Sequence, residues 1–444
     1  MVKAQDKRIE QTLKYSILDG VFFALKTGLA DSFFSVFAIF LRATELELGM
    51  LGSLPLAASS AFQLLSHKLL HLFGSRKRVI LVGGFMQVAV LLLLILLFLF
   101  GKLSVLLMIL FVVLYLVFER VTVPAWNSLM GDLVPEATRG AYFGKRTKLA
   151  GIASFFGLML GGTILGLFGR TYERKALAFV VIFTLATFFR WLSLLYIRRM
   201  YEPEFKPKPK PCFTLTQFLR RAKHTNFGNF VMYIMAMNFA VYIAAPFFSP
   251  YLLKQIGFGY VEFTILTGVS VMAKYLSMPI WGHASDKYGT RRVLALSGFL
   301  MPLVPLLYTF SPNLFYLMMV EVYGGFVWGG FELATFNYIF DSTSSEKRAT
   351  CVMYHNFLNG VGILLGSLVG SLLVPRMGYH LVFAVSCGVR FLATSVFIPR
   401  IKERRRVEHI PYNKLFMEIL TIGITRGIMY RVVALRKLLK KRGR

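Results

Sequence analysis

The sequence predicts an all-α membrane protein of twelve transmembrane helices arranged as two pseudo-symmetric six-helix halves. Three observations carry that expectation: an apolar excess with too few charges for a water-exposed surface, twelve runs long enough to cross a bilayer, and an internal repeat that relates the two halves. Of 444 residues, 56% are apolar and only 16% are Asp, Glu, Lys or Arg, with a mean hydropathy of +0.62, whereas soluble domains carry about 25% charged residues. Cys212, Cys351 and Cys387 stand far apart with no CxxC spacing, so neither a disulfide framework nor a zinc site is implied.

A hydrocarbon core of about 30 Å needs about 20 apolar residues per helix. Such runs fall near 17–41, 49–70, 79–100, 103–127, 147–169 and 177–197, and again near 227–253, 261–281, 293–311, 314–340, 350–374 and 380–399. The first run contains Lys26 and Asp31 and does not fit the short core of a cleaved signal peptide. The net charge of +30 is distributed by side. With the N-terminus inside, segments facing the cytoplasm hold 38 Lys and Arg, counting Lys148 at the lip of the fifth span, against 7 outside. The basic excess is therefore a topology signal that places both termini in the cytoplasm of a cell whose inner membrane holds the chain. Nucleic acid is not an expected partner.

The chain divides into an N-terminal six-helix half (1–197), a cytoplasmic central loop (198–226), a C-terminal half (227–399) and a basic amphipathic cytoplasmic tail (400–444). The central loop alternates Lys and Pro in KPKPKP, which favours an extended, solvated strap. At an offset of 209, Asp132 meets Asp341, Arg139 meets Arg348, and Gly151, Gly157 and Gly161 meet Gly360, Gly366 and Gly370. At an offset of 214, Phe33-Phe34-Ser35 meets Phe247-Phe248-Ser249. An acid, a base and a glycine ladder aligned at one offset indicate a duplicated six-helix unit. From Lys414 to Arg444 apolar residues at helical spacing alternate with bases, a pattern suited to lying on anionic lipid of the inner leaflet.

Residues 282–292 read GHASDKYGTRR and resemble the signature loop of the major facilitator superfamily, G-x-x-x-D-[RK]-x-G-[RK]-[RK]. Gly282, Asp286, Lys287, Gly289, Arg291 and Arg292 match, with Thr290 one extra residue before the basic pair. The resemblance covers roughly residues 10–400. Between spans 2 and 3 the corresponding stretch is HLFGSRKR, which keeps Gly74, Arg76, Lys77 and Arg78 and lacks the acid. Independently of family, an Asp beside a helix start meets the positive end of its dipole, so the loop suits a releasable latch between halves, with the start of span 5 near Lys148 as the expected target. Small residues recur in span 5 (Gly157, Gly161, Gly166) and span 11 (Gly362, Gly366, Gly370), which lets helix backbones approach closely. The superfamily's antiporter motif places Pro after such a glycine; here Gly161 precedes Gly162.

Ionisable groups inside spans are costly and are functional candidates by default. The resemblance implies that spans 1, 4, 7 and 10 line a central cavity, and these carry Lys26, Asp31, Glu119, Arg120, Glu321 and Glu332. Glu321, Gly325, Trp328 and Glu332, spaced four, three and four, form one stripe, with the acids about 16 Å apart along the axis. That spacing suits proton acceptors on alternate sides of a central site. Asp31 and Arg120 are expected to form a switchable pair, whereas Lys26 and Asp31, about 140° apart on a continuous helix, need not face one cavity. Trp126, Asn238 and Tyr242 supply aromatic and hydrogen-bonding surface of the kind that ligand pockets use. His67 and His71 lack a nearby third ligand, so no metal is expected. Neither a Walker-type lysine nor a nucleophile with a spaced base is present, which argues against an ATP-driven pump and against an enzyme, and no cofactor is expected. The sequence therefore predicts a monomeric secondary transporter, proton-linked and working by alternating access, for a small anionic or zwitterionic solute. A non-transporting receptor or assembly protein and a lipid flippase are the rival readings.

Overall fold

The computed structural model describes residues 2–134, 139–168, 171–204, 214–343, 345–404 and 407, and all regular structure among them is helical. Hydrocarbon offers no partner for backbone N–H and C=O groups, so a spanning chain must satisfy them within each helix. Ten single segments are long and apolar enough to cross a bilayer: α1 (Arg8–Phe40), α2 (Glu45–Leu65), α3 (Arg76–Leu99), α4 (Val105–Leu133), α5 (Tyr142–Phe168), α6 (Tyr172–Arg199), α7 (Asn226–Ile256), α8 (Tyr260–Tyr288), α9 (Thr290–Leu307) and α10 (Leu314–Ser342). An eleventh, Thr350–Arg400, is two helices joined at Gly378, whose φ of 73° breaks the helix; these are α11 (350–377) and α12 (379–400). The twelve spans agree with those read from the sequence.

Side-chain caps start many of these helices. Thr44 forms a capping box with Glu47, and Ser75, Ser104, Thr171, Thr225 and Asn313 each accept a backbone N–H of the first turn. Two spans are irregular. In α1 the helix stops at Ala30 and resumes at Phe34, and α7 ends in a π-helical turn over Tyr251–Ile256.

The repeat is visible in the packing. A Cβ added to Gly157 of α5 would press on the Leu25 carbonyl of α1, and one on Gly366 of α11 would overlap the Phe239 carbonyl of α7. Gly161 and Gly370 likewise face the rings of Phe33 and Phe247. Leu25 and Phe239, like Phe33 and Phe247, are 214 residues apart, so the helix crossing is the same in both halves. Glycine is required because the crossing brings a backbone carbonyl where a Cβ would stand.

The halves meet unequally at their two ends. At the end of the α1–α2 connection, one apolar cluster combines Phe33, Phe34 and Phe37 of α1 with Phe247 and Tyr251 of α7, Phe263 of α8 and Phe383 of α12. There Lys254 Nζ donates to the Ala43 carbonyl at 3.0 Å and pairs with Glu45 at 3.1 Å, bridging the halves. At the opposite end, where the basic loops lie, each half keeps its own cluster: Val79, Ala125, Leu129 and Ile197 in one, Phe230, Trp281, Val293 and Tyr338 in the other. Along one flank α2 stays against α11 as far as a 3.2 Å bond between Asn356 and Gln63.

Part of the central loop differs from the expected strap. Leu215–Ala222 is a helix capped by Thr214 and Gln217, with Phe218 buried against Phe227 and Tyr354; the T-x-x-Q capping signal and the apolar face outweigh the basic surroundings. The Lys-Pro stretch, the tail from Lys414 to Arg444 expected to lie on lipid, and the side chains of His67 and His71 fall outside the described residues.

Candidate functional site

The break in α1 builds the polar centre of the first half. Where the helix stops, Asp31 swings back so that its carboxylate lies 3.8 Å from Lys26 Nζ, although the two are five residues apart. Lys26 is fully buried, and its ammonium pairs with Glu119 of α4 at 2.8 Å while lying 4.2 Å and 4.7 Å from the ring centroids of Phe23 and Tyr115. Gln87 of α3 donates to the same Glu119 oxygen at 3.1 Å, and Tyr115 Oη donates to Asp31 at 2.7 Å. A buried ammonium without such partners would be strongly destabilising. Here one lysine is shared by two carboxylates, each held by a neutral donor as well.

The expected Asp31–Arg120 ion pair is not formed, because Lys26 takes that position. Arg120 is exposed. On α7, Tyr242 is half-buried. Asn238, one turn before Tyr242, donates to the Ile234 carbonyl at 3.0 Å. Trp126 packs elsewhere, with its ring 4.3 Å from the guanidinium of Arg146 on α5.

In the second half Glu321 accepts from Tyr308 Oη and has Ser270 as a further neighbour. Glu332 pairs with Lys274 of α8 at 3.1 Å. The two acids of the α10 stripe thus differ, one facing a phenol and the other a cation. Trp328, between them, sets its ring edge-on to Phe331.

Sequence reasoning missed Tyr115, Gln87 and Tyr308, neutral residues in apolar runs with no charge to flag them. It also missed the buried group in which Asp19 accepts from Ser193 at 2.6 Å and pairs with Arg146 at 3.4 Å, with Arg190 donating to the same Ser193 hydroxyl.

The basic loops are wired alike in both halves. In the first, Glu202 from the exit of α6 accepts from Ser75 Oγ and from the Arg76 N–H at the start of α3, and Arg76 pairs with Asp132 of α4. In the second, Glu403 from the exit of α12 accepts from the Arg291 N–H at 2.8 Å, and Thr290 donates to Asp341 of α10 at 2.7 Å. Thr290, the extra residue of the signature loop, is 214 positions after Arg76 and occupies its place. The position of Asp286 is taken by Leu72 at the same offset of 214, and Glu202 corresponds to Glu403 rather than to that missing acid. Gly289, at φ 96°, fits only glycine because a Cβ would overlap Glu403. Arg291 also donates to the Ile398 and Ile401 carbonyls, whereas Asp286 and Lys287 are exposed, Arg292 is half-buried and Gly282 lies near Leu333.

Comparison with known proteins agrees with this architecture. The sequence model of the Major Facilitator Superfamily matches residues 19–273 and 230–441. A multi-drug resistance efflux pump of Streptococcus pneumoniae is 26% identical over 201 residues, 44% of this chain. The chain spans only about half of that relative's length, 49%. The staphyloferrin B transporter of Staphylococcus aureus is 21% identical over 280 residues, 62% of this chain and 66% of that protein. Among solved structures, the nucleoside transporter NupG superposes with a TM-score of 0.66 at 15% identity, over 88% of this chain and 99% of that one. A bacterial homologue of the human lysosomal transporter Spinster, in an inward-facing and unoccupied conformation, gives 0.60 at 15% identity over 93% and 97%. With the two-half fold, the repeated loops and the family match together, the chain belongs to the Major Facilitator Superfamily of multi-pass membrane transporters.

Proposed function

We propose that the protein is a proton-linked secondary transporter that carries a small solute by rocking its halves about the polar centre, in the inner membrane with both termini cytoplasmic. The observation that carries this reading is the unequal closure: a shared apolar cluster and the Lys254–Glu45 bridge seal one end, while the halves keep separate cores at the basic end. Such an arrangement is one of the two end states that alternating access requires, open toward the side that the distribution of Lys and Arg assigns to the cytoplasm. Asp31, Glu119 and Glu321 are the proton carriers, Lys26 the cation shared between the first two, and Arg120, Asn238, Tyr242 and Trp328 the substrate surface. On closure at the basic end, Asp286 meets the start of α5 near Lys148. The protein works as a monomer, with its basic tail on anionic lipid.

The test is reconstitution of the full chain in proteoliposomes with a pH gradient, following internal pH while labelled carboxylates, amines and neutral solutes are offered. Solute entry coupled to proton movement, reduced at least tenfold in Asp31→Asn, is expected. No flux of any solute, with wild type and Asp31→Asn alike, would overturn the reading.

A further inference from the structure

We propose that Arg390 of α12 is a positioning residue that clasps the interruptions of α7 and α9 together, so that the arm carrying Lys254 and the arm carrying Tyr308 keep one fixed relation. The inference rests on the reading of the shared apolar cluster as a transport seal and of Glu321, to which Tyr308 donates, as a proton carrier. Arg390 is 2% exposed inside the second half, and among the described residues no carboxylate pairs with it. A buried guanidinium is costly unless other groups replace the water around it. Here the backbone does so. Nη1 donates to the Met301 carbonyl at 3.2 Å, Nη2 reaches the Val241 carbonyl at 3.4 Å, and Nε donates to Ser386 Oγ at 3.1 Å.

Both carbonyls belong to interrupted helices. A proline has no N–H for the carbonyl four residues back, so Pro302 and Pro305 deprive Gly298 and Met301 of their helical donors, and α9 pauses at residues 301–302. Met301 is left with a 3.3 Å bond from the Val304 N–H. Side chains of α12 fill the vacancies: Arg390 serves Met301, and Thr394, one turn on, sets Oγ1 3.1 Å from the Gly298 carbonyl. In α7 the regular helix ends at Tyr242. There the Ala244 N–H bonds Val241 at 3.1 Å, and Ser386, one turn before Arg390, donates to Ala240 at 2.6 Å. The carbonyl ends of two helices thus converge on one cation, which their dipoles favour, and a planar fork serves both at once. The first half lacks the whole device. Val88 and Leu91 stand 214 residues before the two prolines, and α3 runs unbroken over Arg76–Leu99. Phe189 stands where Arg390 does, at the 201-residue offset that relates Glu202 to Glu403. Beyond the clasp the arms meet, because Tyr251 Oη donates to the Tyr308 carbonyl at 3.2 Å. Tyr308 in turn donates to Glu321, and Lys254 bridges to the other half.

The test is backbone hydrogen exchange on the purified full-length protein, with free guanidinium ion as the probe. Arg390→Ala is expected to speed exchange at least tenfold over both 243–256 and 303–308 while the first half stays as in wild type. Millimolar guanidinium is expected to restore protection in both arms, saturably, where potassium does not, and to leave wild type unchanged. Faster exchange in one arm only or spread over the whole chain, wild-type exchange in both arms, or indifference to guanidinium would overturn the proposal. Should Arg390→Ala not fold, Arg390→Lys decides, since it keeps the charge and loses the fork. Exchange in both arms is then expected to rise a few-fold, and wild-type exchange in either arm overturns the clasp. Proteoliposomes separate the two claims. Protection restored by guanidinium, with no flux of any solute in wild type, rejects transport and keeps the clasp. Solute flux driven by a pH gradient, with wild-type exchange in both arms of Arg390→Ala, keeps transport and rejects the clasp.

Discussion

The two halves share a scaffold and differ in chemistry. Their helix crossings at Gly157 and Gly366 correspond, and in the loops Glu202 and Glu403 accept a backbone N–H at matching positions, Lys77 and Arg291. Yet every member of the first half's polar centre meets an uncharged residue in the second: Lys26 matches Ala240, Asp31 matches Ala245, Gln87 matches Met301, Tyr115 matches Gly324 and Glu119 matches Trp328. Conversely Glu321 and Glu332 match Val112 and Val123. Duplication therefore preserved the helix crossings and the loop bonds while the polar interior diverged, so that a fold with near two-fold symmetry has two chemically unlike halves.

This contrast is sharpest at Lys26. Lys26→Met leaves Glu119 as an unpaired buried charge and is expected to cost about 3–5 kcal/mol, read as a fall in the unfolding midpoint, whereas Lys26→Met with Glu119→Gln is expected to regain most of that stability and still lack transport. Full transport by the double variant would make the polar centre merely structural. The acids come next. Asp31→Asn and Glu321→Gln are each expected to lower pH-driven flux at least tenfold, and a difference in which step fails, binding or proton release, would assign each half its role.

A smaller and equal effect is expected where the halves agree. Glu202→Gln and Glu403→Gln each weaken a carboxylate bond to the N–H groups at a helix start, about 1–2 kcal/mol in chemical unfolding. Clearly unequal losses would break the correspondence of the loops. Least affected in stability is Lys254→Met at the partly exposed bridge, about 0–1 kcal/mol. Its signature is conformational: a cysteine at Ser249, beside the shared apolar cluster, should label faster with a thiol reagent as the sealed end opens.

The spans, the duplication and the glycine crossings were legible because each depends on local composition or a fixed offset. The polar centre was only half legible. Lys26, Asp31 and Glu119 stood out as charges in apolar runs, but their pairing depends on the break of α1 at residues 31–33, and the assumption of a continuous helix separated Lys26 from Asp31. The contact of the Trp126 ring with the guanidinium of Arg146, 20 residues away on another helix, is one that no local pattern shows. Glu202 and Glu403 lay beyond the ends of their spans, where nothing in the sequence pattern links them to α3 and α9.

The glycine crossings carry an implication for how such a molecule changes over generations. Positions 157 and 366 admit no side chain without pushing a backbone away, so both are closed to almost any replacement, whereas the matching buried positions 26 and 240 hold a lysine in one half and an alanine in the other. A saturation scan should thus find the same intolerant glycine positions in both halves, while the polar interior differs from one half to the other in what it accepts.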